Sequence, residues 1–286
     1  MESKIALVTG ASRGAGKGIA LALADEGMTV IVTGRSASGV DTGSGLGGSL
    51  EETADLINKR GGRGVPLACD HADSSQVEAL VQHVKEEFGS LHILVNNAFA
   101  VPPGLTDDKP FWEQSESLEV MFDVGLRSTY VMSRLAAPLL IAAGAGLIVN
   151  TSGFGGTCFM HGPAYGAVKA GVDKMAHDMA VDLRPHNIAA VSIWMGLLRT
   201  ERTMRALSED PSRYEGVDKW TESPEFTGRV IAALAKAEDL MDHSGKILVA
   251  AEAAEELGVV DIDGNRPGSR RSFLGNPPTF SGAVVR

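Results

Sequence analysis

The sequence predicts an α/β fold, a doubly wound parallel sheet of about seven strands with helices on both faces. Two observations carry this prediction. Short apolar runs rich in β-branched residues alternate with amphipathic stretches, and the first run leads into a glycine-rich turn followed by a helical pattern. The chain has 286 residues, 44% of them hydrophobic, so it can bury a sizeable core. We expect residues 1–286 to form a single domain.

The predicted strands are seven short apolar runs: IALV (5–8), TVIVT (29–33), VPLAC (65–69), ILVN (93–96), LIVN (147–150), AVSIW (190–194) and KILVA (246–250). The amphipathic stretches between them predict helices, the clearest over residues 16–26, 75–88, 116–142 and 165–183. Because parallel strands need crossover helices, this alternation favours a parallel sheet, in which ligands bind at the carboxyl ends of the strands.

Three segments depart from this alternation. Residues 36–49 are rich in glycine and serine and predict a flexible surface loop. Residues 200–220 are polar and charged and follow the sixth strand, so they form either a flap over the site or an ordinary solvated helix and loop. Residues 251–286 extend beyond the last predicted strand as a C-terminal extension.

The composition limits which classes of molecule the protein is expected to bind. The 36 acidic and 26 basic residues give a net charge of −10, which disfavours broad binding to nucleic acid or to an anionic membrane and favours a small-molecule partner. The two cysteines, Cys69 and Cys158, have no metal-ligand spacing, and no metal site is expected. The longest apolar stretch, residues 135–149, is too short to span a bilayer, and no signal peptide is visible, so we expect a cytoplasmic protein.

The first strand predicts a nucleotide site because it runs into TGASRGAG and then a helix. Glycines at 10, 14 and 16 would let the backbone approach a pyrophosphate whose charge is met by amides at the helix N-terminus, as in Rossmann-type folds. A plain glycine-rich turn is the less favoured alternative.

The end of the second strand predicts which cofactor binds. An NAD site usually has a carboxylate there for the ribose hydroxyls, whereas this strand ends in Thr33, Gly34 and Arg35. NADP(H) is therefore preferred, with Arg35 and Arg13 available to a 2′-phosphate, and NAD(H) stays possible. The alternative is that Arg35 is only a solvated surface charge.

Tyr165 and Lys169 predict acid–base chemistry. Their spacing of four on a helix places the phenol and the ammonium on one face, where the cation would lower the pKa of the phenol. Ser152 lies thirteen residues upstream, just after a strand. Carbonyl reduction and alcohol oxidation need such a proton donor and acceptor while a hydride moves at carbon.

Together, TGASRGAG, the CD pair at 69–70, NNA at 96–98, Ser152 and YGAVK resemble the short-chain dehydrogenase/reductases over about residues 4–250. The resemblance implies an NADP-dependent oxidoreductase that transfers a hydride between nicotinamide and a carbonyl or secondary alcohol. It also implies a homodimer or homotetramer, because helices equivalent to 116–142 and the one starting near Tyr165 pair across two-fold axes in this family.

The resemblance further implies individual roles. Ser152 would bond the substrate oxygen, Lys169 would hold the nicotinamide ribose and lower the pKa of Tyr165, and Thr200 would contact the nicotinamide carboxamide. Asp70 would approach the adenine, Asn97 would line the ribose path, and Arg35 would meet the 2′-phosphate. The phosphate turn would consist of Gly10, Ser12, Arg13, Gly14 and Gly16.

The chain departs from the family pattern at three positions. Asp123 replaces an asparagine that helps a water chain reach the active-site lysine, so it is either a modified relay element or a residue whose backbone alone matters. Met195 replaces a proline, which loosens the turn toward Thr200. Phe99 replaces a glycine and either narrows the pocket or, as favoured here, packs against Phe111 or Trp112.

The alternative function is an NADP(H)-sensing module with the same fold and little turnover. A methyltransferase is disfavoured because Gly34 and Arg35 leave no acid at the second strand's end. His161 is interpreted as a substrate-lining or surface residue, without a catalytic role. Aromatic and methionine side chains near the expected pocket indicate a small to medium apolar substrate: Phe99, Phe154, Phe159, Met160 and Trp220.

Overall fold

The structure is a computed structural model that describes residues 3–38, 45–210 and 221–286. Its strands are β1 (Ile5–Thr9), β2 (Thr29–Gly34), β3 (Arg63–Ala68), β4 (Ile93–Asn96), β5 (Gly146–Ser152), β6 (Ile188–Trp194), β7 (Leu197–Leu198), β8 (Thr221–Glu222) and β9 (Ile247–Val249). Seven of them form one parallel sheet in the order β3-β2-β1-β4-β5-β6-β9, and β7 pairs with β8. All seven predicted strands are present, and the predicted fold class is confirmed.

The helices are α1 (Gly14–Ala24), α2 (Leu50–Lys59), α3 (Ser74–Phe88), α4 (Ser128–Ala143), α5 (Gly162–Leu183), α6 (Glu201–Glu209), α7 (Phe226–Leu234), α8 (Leu240–His243), α9 (Ala250–Glu256) and α10 (Arg271–Leu274). Apolar residues of α1, α2, α7 and α9 pack in one core, and those of α3, α4 and α5 pack in another. Alternate residues of β1, β2, β4, β5 and β6 enter the two cores, as Val8 and Leu7 do from β1. The sheet is therefore doubly wound.

The prediction of one helix over residues 116–142 is wrong. A short turn of helix ends at Glu119, and α4 begins only at Ser128. Between them, Val124 (φ −108°, ψ 88°) and Gly125 (φ 152°) leave the helical region. The Gly125 amide donates to Ser128 Oγ at 3.0 Å, and its carbonyl accepts from Thr129 Oγ1 at 2.6 Å. These hydroxyls replace helical hydrogen bonds at the break.

Parts of the irregular segments lie outside the described residues. Of the predicted loop 36–49, residues 39–44 are not described, whereas Ser49 caps α2 in a capping box with Glu52. Of the predicted flap 200–220, residues 211–220 are not described, and Trp220 is among them. The C-terminal extension begins within α9, whose alanines pack in the core, and its Asp261 accepts a hydrogen bond from the Ser223 amide at 2.8 Å.

Across the described residues, no helix combines the length and apolar character needed to cross a membrane. That residues 1–286 form one domain stays a prediction.

Gly18 offers a test of how tightly α1 is seated. A Cβ at Gly18 would lie 2.2 Å from the Pro224 carbonyl carbon, so the backbone preceding α7 would have to move. We expect Gly18→Ala to lower the free energy of unfolding by about 1–3 kcal/mol, despite the better helix propensity of alanine. Urea denaturation measures this change in the free energy of unfolding. The control is Gly268→Ala, where a Cβ would meet no atom within 4 Å, and equal stability of both variants would contradict the prediction.

Candidate active site

The turn between β1 and α1 is closely packed against the end of β4. Gly10 (φ 65°) and Gly14 (φ 55°) adopt left-handed conformations that favour glycine. A Cβ at Gly10 would lie 2.8 Å from Ala98 Cα, and one at Gly16 would lie 2.3 Å from the Gly10 carbonyl oxygen. Asn97 fastens the two segments, because its Nδ2 donates to the Thr9 carbonyl at 2.9 Å. The turn can therefore present bare backbone to a ligand.

The start of α6 lies on this turn. Thr200 caps α6, with its Oγ1 accepting from the Thr203 amide at 3.2 Å. The next residue, Glu201, accepts from the Gly14 amide through Oε2 at 2.9 Å. A carboxylate oxygen thus accepts the hydrogen bond of an amide at the N-terminus of α1, where the helix dipole favours negative charge. Sequence reasoning did not single out Glu201, and only the fold brings it to the turn.

The two candidate arginines differ in their surroundings. Arg13 is half-buried, and its guanidinium donates to the carbonyls of Gly47 and Gly48 at 2.9 and 3.0 Å and to Ser36 Oγ at 2.9 Å. It therefore holds the described end of the loop 36–49. Arg35 is exposed just after β2, so its guanidinium is open to solvent.

The other residues expected to hold a cofactor lie around the same edge of the sheet. Ser12 is buried within the turn at 7% exposure. Asp70 follows β3, and its Oδ1 accepts from the Ala72 amide at 3.0 Å. Asn97 lies beneath the turn, and its side chain bonds the turn's carbonyls. The structure thus places the glycine-rich turn, Arg35, Asp70 and Asn97 at the carboxyl ends of β1 to β4.

Tyr165 and Lys169 lie on α5 beside Phe99. Lys169 is 6% exposed, and its Nζ lies 4.4 Å from the Phe99 ring centroid and 5.6 Å from the Tyr165 ring centroid. Phe99 and Tyr165 meet edge to face at 5.8 Å. Cation–π attraction therefore holds the buried ammonium between two rings.

The prediction that Phe99 packs against Phe111 or Trp112 is wrong. Phe111 and Trp112 pack against each other at 5.3 Å and are 63% and 72% exposed. They lie in the irregular segment before the helix break, which sequence periodicity does not position.

Burial dominates the protonation of this pair. The pKa of Tyr165 is raised to about 12, first by burial and then by the Cys158 thiol. Burial lowers the pKa of Lys169 to about 8, partly offset by Asp173. The expected lowering of the Tyr165 pKa by Lys169 is not seen, because burial of the phenol disfavours its charged form and raises its pKa. At neutral pH the phenol keeps its proton.

A buried carboxylate supports α5 one turn beyond Lys169. Asp173 is fully buried and accepts from Ser192 Oγ at 2.5 Å and from Trp194 Nε1 at 3.0 Å. Burial raises its pKa to about 6, opposed by hydrogen bonds from Ser192, Ser152 and Trp194. Sequence reasoning missed Asp173, although its spacing of four from Lys169 on one helix face was a usable signal.

Ser152 belongs to this buried group. Its Oγ donates to the Lys169 carbonyl at 3.3 Å, and the side chain makes no hydrogen bond to Tyr165 in the described part of the chain. The structure thus brings Tyr165 and Lys169 together, and the Ser152 hydroxyl contacts the backbone of α5 beside them.

Asp123 is not brought to the pair. Its side chain is 60% exposed and lies 3.5 Å from Arg127 Nε. A cavity of about 10 Å³, about the size one water molecule needs, adjoins Lys169 and is lined by Asn96, Gly125 and Thr129 among others, but not by Asp123. The break at Val124 and Gly125 changes the phase of the helix, which the assumption of a regular helix could not anticipate.

His161 contacts Tyr165, and its interpretation as a substrate-lining or surface residue stays a prediction. It precedes α5 with φ 57° and ψ 21°, and its ring meets the Tyr165 ring edge to face at 5.1 Å. Its position four residues before Tyr165 was the available signal.

Comparison with known proteins agrees with this architecture. Residues 4–211 match the family described as short chain dehydrogenase. The chain is 38% identical to dehydrogenase/reductase SDR family member 1 of Mus musculus, over 92% of this chain and 85% of that protein. Its identity to the Homo sapiens protein of the same name is 37%, with the same coverage.

A solved structure of a short-chain type dehydrogenase/reductase from Mycobacterium marinum superposes with a TM-score of 0.71 at 28% identity. The match covers 86% of this chain and 93% of that one. With its parallel sheet and its family match over most of its length, the chain belongs to the short-chain dehydrogenase/reductases, which are oxidoreductases.

Proposed function

We propose that the protein is an NADP-dependent oxidoreductase that transfers a hydride between nicotinamide and the carbonyl or secondary alcohol of a small to medium apolar substrate. The observation that carries the proposal is the Tyr165–Lys169 pair, seated beside Phe99 two residues beyond Asn97, whose amide bonds the phosphate turn. A proton-bearing phenol and a nucleotide turn on adjacent strand ends are what this reaction requires.

The turn fits the pyrophosphate of a dinucleotide. Gly10 and Gly16 allow the close packing that shapes it, since a Cβ at either would clash with backbone, and the Gly14 amide already donates to the Glu201 carboxylate. We assign the phosphates to Gly10, Ser12, Gly14 and Gly16, and the nicotinamide end to Lys169 and Thr200. When bound, the cofactor supplies the hydride.

Tyr165 serves as the proton donor in reduction and the acceptor in oxidation. With a pKa of about 12 the phenol is protonated at neutral pH and can give its proton to the substrate oxygen. The nearby ammonium of Lys169 then stabilises the phenolate that forms. We assign the cavity beside Lys169 to a water molecule that relays protons to the pair. Gly125 at the helix break lines this cavity, so the backbone there has the relay role that was expected for Asp123.

NADP preference rests on Arg35 more than on Arg13. The Arg35 guanidinium is exposed beside the turn, whereas that of Arg13 is occupied by loop carbonyls. Asp70 at the end of β3 is assigned to the adenine side.

The proposal extends to the assembly of the protein. A homodimer or homotetramer is supported by exposed apolar residues on and before α4, including Phe122 at 39% and Tyr130 at 53% exposure. Cytoplasmic location stays a prediction. A sensing module with little turnover is less favoured, because the pair on α5 is assembled and Phe99 contacts it.

Tyr165→Phe tests the proposed chemistry. We expect it to lower the rate of NADPH oxidation with active ketones or diketones by about 100-fold or more, because the proton donor is lost while cofactor binding is kept. Absorbance at the NADPH band measures turnover, and fluorescence titration measures binding. The control is Tyr130→Phe on the exposed face of α4. Tight NADPH binding without tyrosine-dependent turnover on any panel member would favour the sensing module.

Arg35→Glu tests the cofactor preference. Replacing the exposed guanidinium with a carboxylate should weaken NADPH binding by about 10- to 100-fold while changing NADH binding little, since only the former carries a 2′-phosphate. Parallel titrations with both cofactors measure the ratio. Arg266→Glu, an exposed charge reversal in the C-terminal extension, is the control. An unchanged NADPH/NADH ratio would remove Arg35 from the phosphate site.

Glu201→Gln tests whether the Glu201 carboxylate competes with the cofactor for the Gly14 amide. The carboxylate on the Gly14 amide has to leave when a pyrophosphate binds, so removing its charge should tighten NADPH binding by about two- to fivefold. The control is Glu209→Gln at the other end of α6. Weaker NADPH binding in the first variant would show that Glu201 assists the cofactor.

A further inference from the structure

Two carboxyl groups are buried beside the segment that follows β6, apart from the Tyr165–Lys169 pair. Glu222 of β8 is 3% exposed, and Asp261 of the C-terminal extension is 2% exposed. Burying a carboxylate costs free energy unless hydrogen bonds or opposite charges compensate it. The contacts of these two side chains therefore have to account for their burial.

The Glu222 carboxylate holds the turn that follows β6. Its Oε1 accepts a hydrogen bond from the Gly196 amide at 3.0 Å. The packing is tight, because a Cβ at Gly196 would lie 2.7 Å from Glu222 Oε2. Met195, just before this glycine, does not restrict φ as a proline would. A carboxylate from a residue 26 positions further along the chain therefore fixes this turn.

The backbone of Glu222 fixes the same segment at a second point. Its carbonyl accepts from the Arg199 amide at 2.9 Å, and Leu198 pairs with Glu222 between β7 and β8. The Thr200 amide donates to the Leu198 carbonyl at 2.8 Å. Residues 196–200 are thus held by Glu222 through one side-chain and one backbone hydrogen bond.

The segment held in this way reaches the glycine-rich turn between β1 and α1. Thr200 caps α6, and a Cβ at Gly14 would lie 3.5 Å from Thr200 Cγ2. Glu201, the next residue, accepts from the Gly14 amide at 2.9 Å. A shift of the turn at Gly196 would therefore move Thr200, to which we assign the nicotinamide end of the cofactor.

The C-terminal extension in turn holds Glu222. Asp261 accepts from the amide of the adjacent Ser223 at 2.8 Å and from the Ser223 hydroxyl. Arg199 Nη2 lies 3.5 Å from Asp261 Oδ2 and 3.6 Å from Asp263 Oδ2, so charge attraction joins the segment after β6 to the extension. The extension therefore takes part in positioning this segment.

We propose that Glu222 is a positioning residue for the nicotinamide end of the cofactor, and that Asp261 of the C-terminal extension keeps Glu222 in place. The carboxylate acts through the Gly196 amide. It fixes the segment up to Thr200 before the cofactor binds, so less conformational freedom is lost on binding. This inference rests on the proposed function, from which the assignment of Thr200 comes.

The adenosine end of the cofactor provides an internal reference. We assign it to Arg35 and Asp70, which follow β2 and β3, on the other side of β1 from β6. NADPH spans both ends of the site. Adenosine 2′-monophosphate carries the adenine and the 2′-phosphate but neither the pyrophosphate nor the nicotinamide. A change confined to the nicotinamide end should therefore affect only NADPH.

Substitutions at Glu222 test the proposal against a matched control. Glu222→Met removes the acceptor oxygens at similar volume, whereas Glu222→Gln keeps an amide oxygen that can accept from Gly196. Ser244→Ala is the control, because Ser244 Oγ is likewise a buried acceptor for a β6 amide, that of Ala190 at 3.1 Å. Dissociation constants for both ligands and the unfolding temperature are measured for each variant.

We expect Glu222→Met to weaken NADPH binding by about tenfold and to change binding of adenosine 2′-monophosphate by less than about twofold. Glu222→Gln should recover most of the loss. Ser244→Ala should lower the unfolding temperature without changing either affinity. Asp261→Asn, which leaves one acceptor oxygen for the Ser223 contacts, should show the same selective loss at smaller size. It carries the test if Glu222→Met does not fold.

The inference is overturned if Glu222→Met binds NADPH like the wild type, if it weakens both ligands alike, or if Ser244→Ala shows the same selective loss. These outcomes leave the proposed function in place. A wild-type protein that binds no NADPH would instead overturn the proposed function, and this inference with it.

Discussion

The active-site geometry depends on how α5 is seated against β5 and β6. Asp173 is fully buried, and an isolated buried carboxylate is strongly unfavourable unless hydrogen bonds and charges compensate it. Ser192 and Trp194 of β6 supply hydrogen bonds, and Lys169 one turn earlier supplies the opposite charge. Because these partners belong to strands and helix alike, the position and rotation of α5 follow from satisfying one carboxylate. Tyr165, on the same helix, is positioned as a consequence.

The turn between β1 and α1, where we propose that the cofactor binds, is held by close contacts between backbone segments. It does not depend on a buried charge. Gly10 and Gly16 allow the turn to pack against itself and against Ala98, and Asn97 bonds its carbonyls. The amides at the start of α1 are thereby aimed outward, and Glu201 already meets one of them. In the proposed function this arrangement is a preformed anion site, where a cofactor phosphate would replace the Glu201 carboxylate with little rearrangement of the turn.

Two residues that depart from the family pattern, Phe99 and Asp123, affect the Tyr165–Lys169 pair differently. Phe99 forms one wall of the Lys169 environment and contacts Tyr165, so the replacement of glycine alters the acid–base pair directly. Asp123 is exposed and paired with Arg127, so its charge is largely screened by solvent. The pair that we propose for proton transfer is thus in place, with Phe99 as part of its surroundings.

The sequence by itself determined the seven strands, the glycine-rich turn between β1 and α1, the pairing of Tyr165 with Lys169 and the family. Each depends on short-range features: residue alternation, glycine spacing and a separation of four on a helix. Only the tertiary structure decided which way Ser152 faces, that Asp173 lies beneath Lys169, that His161 meets Tyr165 and that Asp123 points outward. Those outcomes depend on a helix break at Gly125, on strand register and on burial, which are set by contacts between distant segments.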